Sequence, residues 1–109
     1  MKIPANAIIL PEKLTKYLLV RRPKNDKAQF LAQAGFTAEN PADLEQAIRS
    51  LIAQQVAVLD RQNEYGTFYQ VTGDLVGPNG ILAVVTIWLL RTADRQIRFV
   101  TLKPARRNQ

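Results

Sequence analysis

The chain has 109 residues, enough for one domain with a modest core, and its 47% apolar and 22% charged composition is globular rather than disordered. Cysteine and histidine are both absent, which excludes disulfides, thiol nucleophiles, His-ligated zinc and imidazole acid–base catalysis, leaving Lys, Tyr, Glu or Asp for any proton transfer. The net charge of +6 is uneven: residues 1–27 carry seven basic and two acidic side chains, residues 28–90 two and six, and residues 91–109 six and one.

Residues 1–10 read as an extended lead-in, and Pro11 suits the first position of a helix running to about Leu19, with Leu14, Tyr17 and Leu18 as its apolar stripe. A basic loop, Arg21-Arg22-Pro23-Lys24-Asn25, precedes a second helix over Asp26 to Ala34 that Gly35 ends. A third helix starts behind Asn40 and Pro41 and buries Leu44, Ala47, Ile48, Leu51 and Ile52 before ending near Gln54 or Gln55. From Val56 the period becomes strand-like, predicting strands at Val56–Arg61, Thr67–Leu75, Ile81–Arg91 and Ile97–Leu102 with turns between them. Short connections make neighbouring strands antiparallel. The expected fold class is α+β, with two to three N-terminal helices packed on a four-stranded antiparallel meander, the third strand central, all in one domain that ends in a polar tail from Ala105.

The two basic ends make one positive face suited to a polyanion if the first helix packs beside the last strand; otherwise they keep a small protein soluble. The acidic residues are scattered, so neither a metal nor a cofactor is expected. No signal-peptide pattern or membrane-length apolar run is seen, and a cytoplasmic location is expected.

Alternation on the third strand places Leu82, Val84, Thr86, Trp88 and Leu90 on one face and Ala83, Val85, Ile87 and Leu89 on the other. The second set reads as uninterrupted core, which leaves Thr86 and Trp88 on the more mixed face. Trp88 is then either packing or a platform for a base. On the last strand Arg98, Val100 and Leu102 oppose Ile97, Phe99, Thr101 and Lys103, and either set can face the helices. Arg98 is a solvated edge residue or a phosphate anchor. Lys27, one turn before Phe30 and Leu31, either snorkels or sets its amine over the sheet as an acid or base. Tyr65 and Tyr69 are turn and core packing or part of the same site.

The segments Pro11-Glu12-Lys13-Leu14-Thr15-Lys16-Tyr17-Leu18-Leu19, Lys27-Ala28-Gln29-Phe30, Gly35-Phe36-Thr37-Ala38-Glu39-Asn40, Tyr65-Gly66, Gly77-Pro78-Asn79-Gly80, Thr86-Ile87-Trp88 and Arg98-Phe99-Val100-Thr101 resemble, in order and spacing, a small bacterial family of uncharacterised domains. Many of its members sit beside an antitoxin-like partner or are appended to polymorphic toxins. The order of elements also resembles the barnase, EndoU, colicin and RelE group of metal-independent ribonucleases, whose RelE-like members work with Lys, Arg and Tyr in place of His. That resemblance implies a toxin endoribonuclease with RNA and a small acidic antitoxin-like protein as partners. Lys27 would transfer a proton or stabilise charge, Arg98 would clamp phosphate, and Thr86 and Thr101 would donate hydrogen bonds. Trp88, Tyr65, Lys24 and Lys103 would contact substrate. The loop before Lys27 departs from the acidic residue and glycine usual in that family. The alternative is a non-catalytic binding module, a toxin-neutralising partner or a nucleic-acid adaptor, which would leave Lys27, Thr86 and Arg98 on separate faces.

Overall fold

A computed structural model describes residues 1–20, 23 and 27–105. The helical elements are α1 (Pro11–Lys13), which continues directly as a π-helical turn (Leu14–Leu18), then α2 (Lys27–Ala32) and α3 (Pro41–Gln54). Four strands follow, β1 (Val58–Asn63), β2 (Gly66–Gly77), β3 (Gly80–Arg91) and β4 (Ile97–Pro104), in one antiparallel sheet of order β1-β2-β3-β4. This is the expected α+β meander, although β1 starts two residues later than the turn signals indicate. Asn25 and Asp26, at the expected start of the second helix, and the tail beyond Ala105 lie outside the described residues.

The helices form as their punctuation dictates. Gly35, at φ +93, ends α2: its amide donates to Ala32 O at 3.0 Å and the Phe36 amide to Leu31 O at 3.2 Å, the paired bonds of a left-handed C-cap. All five residues expected on the buried stripe of α3 are buried. Asn40 stands at the N-cap of α3, but its side chain turns back, accepting from the Thr37 amide at 2.7 Å and donating to Gly35 O at 2.9 Å. It therefore ties the α2–α3 loop together and, donating to Asp43 Oδ2 at 3.1 Å, joins it to the first turn of α3 without capping a helix amide.

Two departures from the expected pattern decide which side chains reach the outer face of the sheet. On β3 the helices cover the other face from the one expected: Val84, Thr86 and Trp88 are fully buried beside Phe99 and Leu102 of β4, while Ala83, Val85, Ile87 and Leu89 form the outer face. The helices need bulk to pack against, and Trp88 with Phe99 supplies it; their rings meet edge to face at 5.3 Å. On β4 the register passes from Ile87↔Thr101 to Trp88↔Phe99, so Val100 is an extra, bulged residue. Strict alternation would part Arg98 from Thr101. The bulge instead puts Arg98, Thr101 and Lys103 on one outer face, opposite Leu89, Ile87 and Val85.

The N-terminal lead-in runs beside β4. Ile8 bridges to Arg98 in parallel, donating to Ile97 O and accepting from the Phe99 amide, both at 2.8 Å. From α3, Arg49 holds this segment through the carbonyls of Ala5 and Ala7 at 2.9 and 3.0 Å. The first helical turns are thereby set against the last strand, and among the described residues Lys27 comes into contact with Thr101 of β4.

The β1–β2 connection is a two-residue turn, Glu64-Tyr65, between paired Asn63 and Gly66. Gly66 has φ +148, and a Cβ there would run into the carbonyl of Leu90 on β3. Gly66→Ala is expected to cost about 2 kcal/mol or more of stability, measured by urea unfolding, because strain and collision add.

Candidate functional site

Three polar side chains from distant parts of the sequence converge at the outer edge of β4. Lys27, the first residue of α2, donates from Nζ to Thr101 Oγ1 at 2.8 Å and to the Tyr17 phenol oxygen at 3.3 Å. Thr101 donates in turn to that phenol, at a long 3.5 Å. Lys13 joins from one turn earlier, with Nζ 5.8 Å from the Tyr17 ring centre, and Lys27 Nζ lies 5.4 Å from it.

Periodicity assigns Tyr17 to the buried stripe of the first helix, with Leu14 and Leu18. Those two leucines are buried, but Tyr17 is 36% exposed. The cause is the π-turn, closed by the Leu19 amide on Leu14 O at 2.9 Å, whose wider spacing rotates Tyr17 away from the core. Hydrogen bonds from Thr101 and then Lys27 hold the Tyr17 phenol below its ordinary pKa against the opposing effect of burial, and the charges of Lys27 and Lys13 add to the lowering. A phenol so placed gives up its proton at lower pH than an isolated one.

Next to this cluster lies a groove of about 520 Å³ whose lining includes Lys13, Tyr65, Phe68, Leu89, Arg91 and Arg98. Arg98 donates from Nη2 to Gln96 Oε1 at 3.3 Å, while its Nε is buried with no partner among the described residues. Arg91 is held by Asp94 at 3.5 Å. Tyr65, on its turn, is 66% exposed. Lys103 is exposed on the same outer face of β4, two residues beyond Thr101.

The sequence-based assignments therefore divide. Lys27 and Thr101 are in contact, and Arg98, Lys103 and Tyr65 are accessible on this side of the sheet. Thr86 and Trp88 are not at this surface: the Trp88 indole Nε1 donates to Thr86 Oγ1 at 2.8 Å, and Thr86 donates to Val71 O at 3.0 Å, all within the core. Their polar groups satisfy each other, so Trp88 is a packing residue rather than a stacking platform, and Thr86 has no free hydrogen to offer a substrate. Lys24 lies outside the described residues. Tyr17 and Lys13 are the additions. The only signal for Tyr17 in the sequence is a tyrosine one turn after a lysine on an otherwise aliphatic stripe, a pattern that packing explains equally well.

Among the described residues no group of His, Cys, Asp or Glu could hold a metal ion, and no helix is long and apolar enough to cross a membrane. No curated protein gives a significant sequence match. In fold, the chain is similar to a chain of the contact-dependent growth inhibition toxin–immunity protein complex from Klebsiella pneumoniae 342, at 18% identity and a TM-score of 0.68 over 91% of this chain and 100% of that one. At the level of sequence, residues 3–106 match a family described as Domain of unknown function (DUF6883), and the chain belongs to that family.

Proposed function

We propose that this domain is a toxin of a bacterial toxin–antitoxin or toxin–immunity pair, acting as a metal-independent endoribonuclease at the Tyr17–Lys27–Thr101 cluster. The observation that carries the reading is the contact between Lys27, Thr101 and a phenol of lowered pKa, on the face of β4 that also presents Arg98. The fold likeness to a member of a toxin–immunity complex supports the setting.

In the proposed reaction Tyr17, as phenolate, takes the proton of an RNA 2′-hydroxyl, and the freed oxygen attacks the adjacent phosphorus. The bond to the 5′-oxygen breaks, that oxygen takes a proton from water, and a 2′,3′-cyclic phosphate remains. The Lys27 ammonium and the Arg98 guanidinium neutralise the charge that builds on the phosphate oxygens, and Thr101 positions both Lys27 and Tyr17. Induced expression is expected to stop bacterial growth with RNA fragmentation. Tyr17→Phe, which keeps the ring and removes the proton carrier, is expected to slow cleavage by about 10²-fold. Because the ionised phenol is the active form, the rate rises with pH along a limb centred below that of an ordinary phenol, and Lys27→Met, which removes a lowering hydrogen bond and charge, moves that limb to higher pH. Unimpeded growth with intact RNA would refute the reading.

A second reading, a non-catalytic module that neutralises a toxin or binds nucleic acid, is favoured by the position of Thr86 in the core, apart from Lys27 and Arg98. Such a module binds through the same cations without cutting. If its ligand is a nucleic acid, affinity falls steeply with salt, whereas a protein partner need not show this.

A further inference from the structure

We infer that the groove beside the Tyr17 cluster takes one unpaired base of an RNA strand, with Tyr65 as its stacking surface and Arg98 as the anchor for the adjoining phosphate. This rests on the proposal that the ligand is RNA, and it adds which form of RNA the site accepts. Its volume of about 520 Å³ is in the range of small-molecule sites, and Phe68 and Leu89 contribute apolar surface.

Three observations select a nucleotide over a purely apolar occupant. First, Tyr65 is a large, exposed ring on a pinned turn: its amide donates to Asn63 Oδ1 at 2.9 Å and its carbonyl accepts from the Thr92 amide at 3.0 Å. A ring presented on fixed backbone can stack a base with little loss of conformational freedom. Second, Arg98 has a buried Nε with no acceptor among the described residues. Arg98 also lines the groove, and the planar fork of its guanidinium suits a phosphate there. Third, Lys13 both lines this groove and lies against the Tyr17 ring, so a strand whose base enters the groove runs on toward the cluster along a line of cations. Bases stacked inside a duplex cannot enter a cavity of this kind, whereas an unpaired one can swing in.

The test uses the complete chain and a short RNA with 2′-O-methyl groups, which cannot be cut by attack of its own hydroxyl. Binding is read by fluorescence anisotropy at fixed salt, with the same strand annealed to its complement and with versions carrying one abasic position. The single strand is expected to bind about tenfold or more tightly than the duplex, and an abasic position to weaken binding to the unaltered chain by about tenfold. Tyr65→Ala is expected to show a similar loss and to be insensitive to the abasic position, while Tyr65→Phe keeps the affinity. Equal binding of duplex and single strand, or a Tyr65→Ala chain that binds as the unaltered one does, would overturn the inference. The two readings fail separately. Uncut natural RNA with Tyr65-dependent single-strand binding removes the nuclease and leaves the subsite, whereas RNA cut by Tyr65→Ala with unchanged KM removes the subsite and leaves the nuclease.

Discussion

A chain carrying Lys27→Ala and Arg98→Ala together is expected to cleave RNA about 10³- to 10⁵-fold more slowly than the unaltered chain and to lose growth arrest. Both side chains are cations on the outer side of β4, and neither replacement opens a cavity in the core. Lys27 is hydrogen-bonded to two members of the cluster, so its removal takes away a charge and loosens Tyr17 and Thr101 at once. In the proposed reaction Arg98 acts through the phosphate, so its loss is expected to fall on rate and substrate affinity together. The range is wide because groups acting on one phosphate are not additive. Folding is checked by circular dichroism, and the effect is read as initial rates on a labelled RNA. A double variant that keeps a rate within tenfold of the unaltered chain would place the chemistry elsewhere on the molecule.

Trp88→Ala is expected to cost about 3–5 kcal/mol, a large part of the roughly 5–15 kcal/mol that holds a domain of this kind together. Trp88 is fully buried, edge-on to Phe99, with its indole N–H satisfied by Thr86. Removing it empties the centre of the interface between helices and sheet and also frees an acceptor on Thr86. The variant is expected to unfold at much lower urea or to be unstable at growth temperature. Trp88→Phe, which refills most of the volume, is expected to fold and to keep the activity of the unaltered chain, because the indole lies in the core, away from the Tyr17–Lys27–Thr101 cluster. A Trp88→Ala loss below about 1 kcal/mol would contradict this packing.

What could be read from the sequence follows from how local each signal is. The α3 stripe, the Gly35 terminator and the meander order depend on spacing along the chain, and the structure reproduces them. The face of β3 that meets the helices does not depend on spacing. Both faces are apolar, and the choice falls to the volumes of Trp88 and Phe99, which only the packed molecule weighs. The bulge at Val100 is equally invisible in a run where every residue suits a strand, yet it decides that Arg98 and Thr101 share a face. The π-turn has the same effect on Tyr17: read with an α-helical period it is a core residue, and with one wider turn it becomes a phenol between two lysines. Lys27 and Arg98 were legible as residue types fit for a phosphate, and Thr86 and Trp88 were misplaced by the same inversion of faces.

The most direct test of the central claim is incubation of purified chain with RNA in excess EDTA, followed by analysis of the new ends. Cleavage is expected to persist without metal, to leave 2′,3′-cyclic phosphates and 5′-hydroxyls, and to be lost in the chain carrying Lys27→Ala and Arg98→Ala. RNA that stays intact at stoichiometric protein, or cleavage that appears only when a divalent metal is added, would contradict the claim.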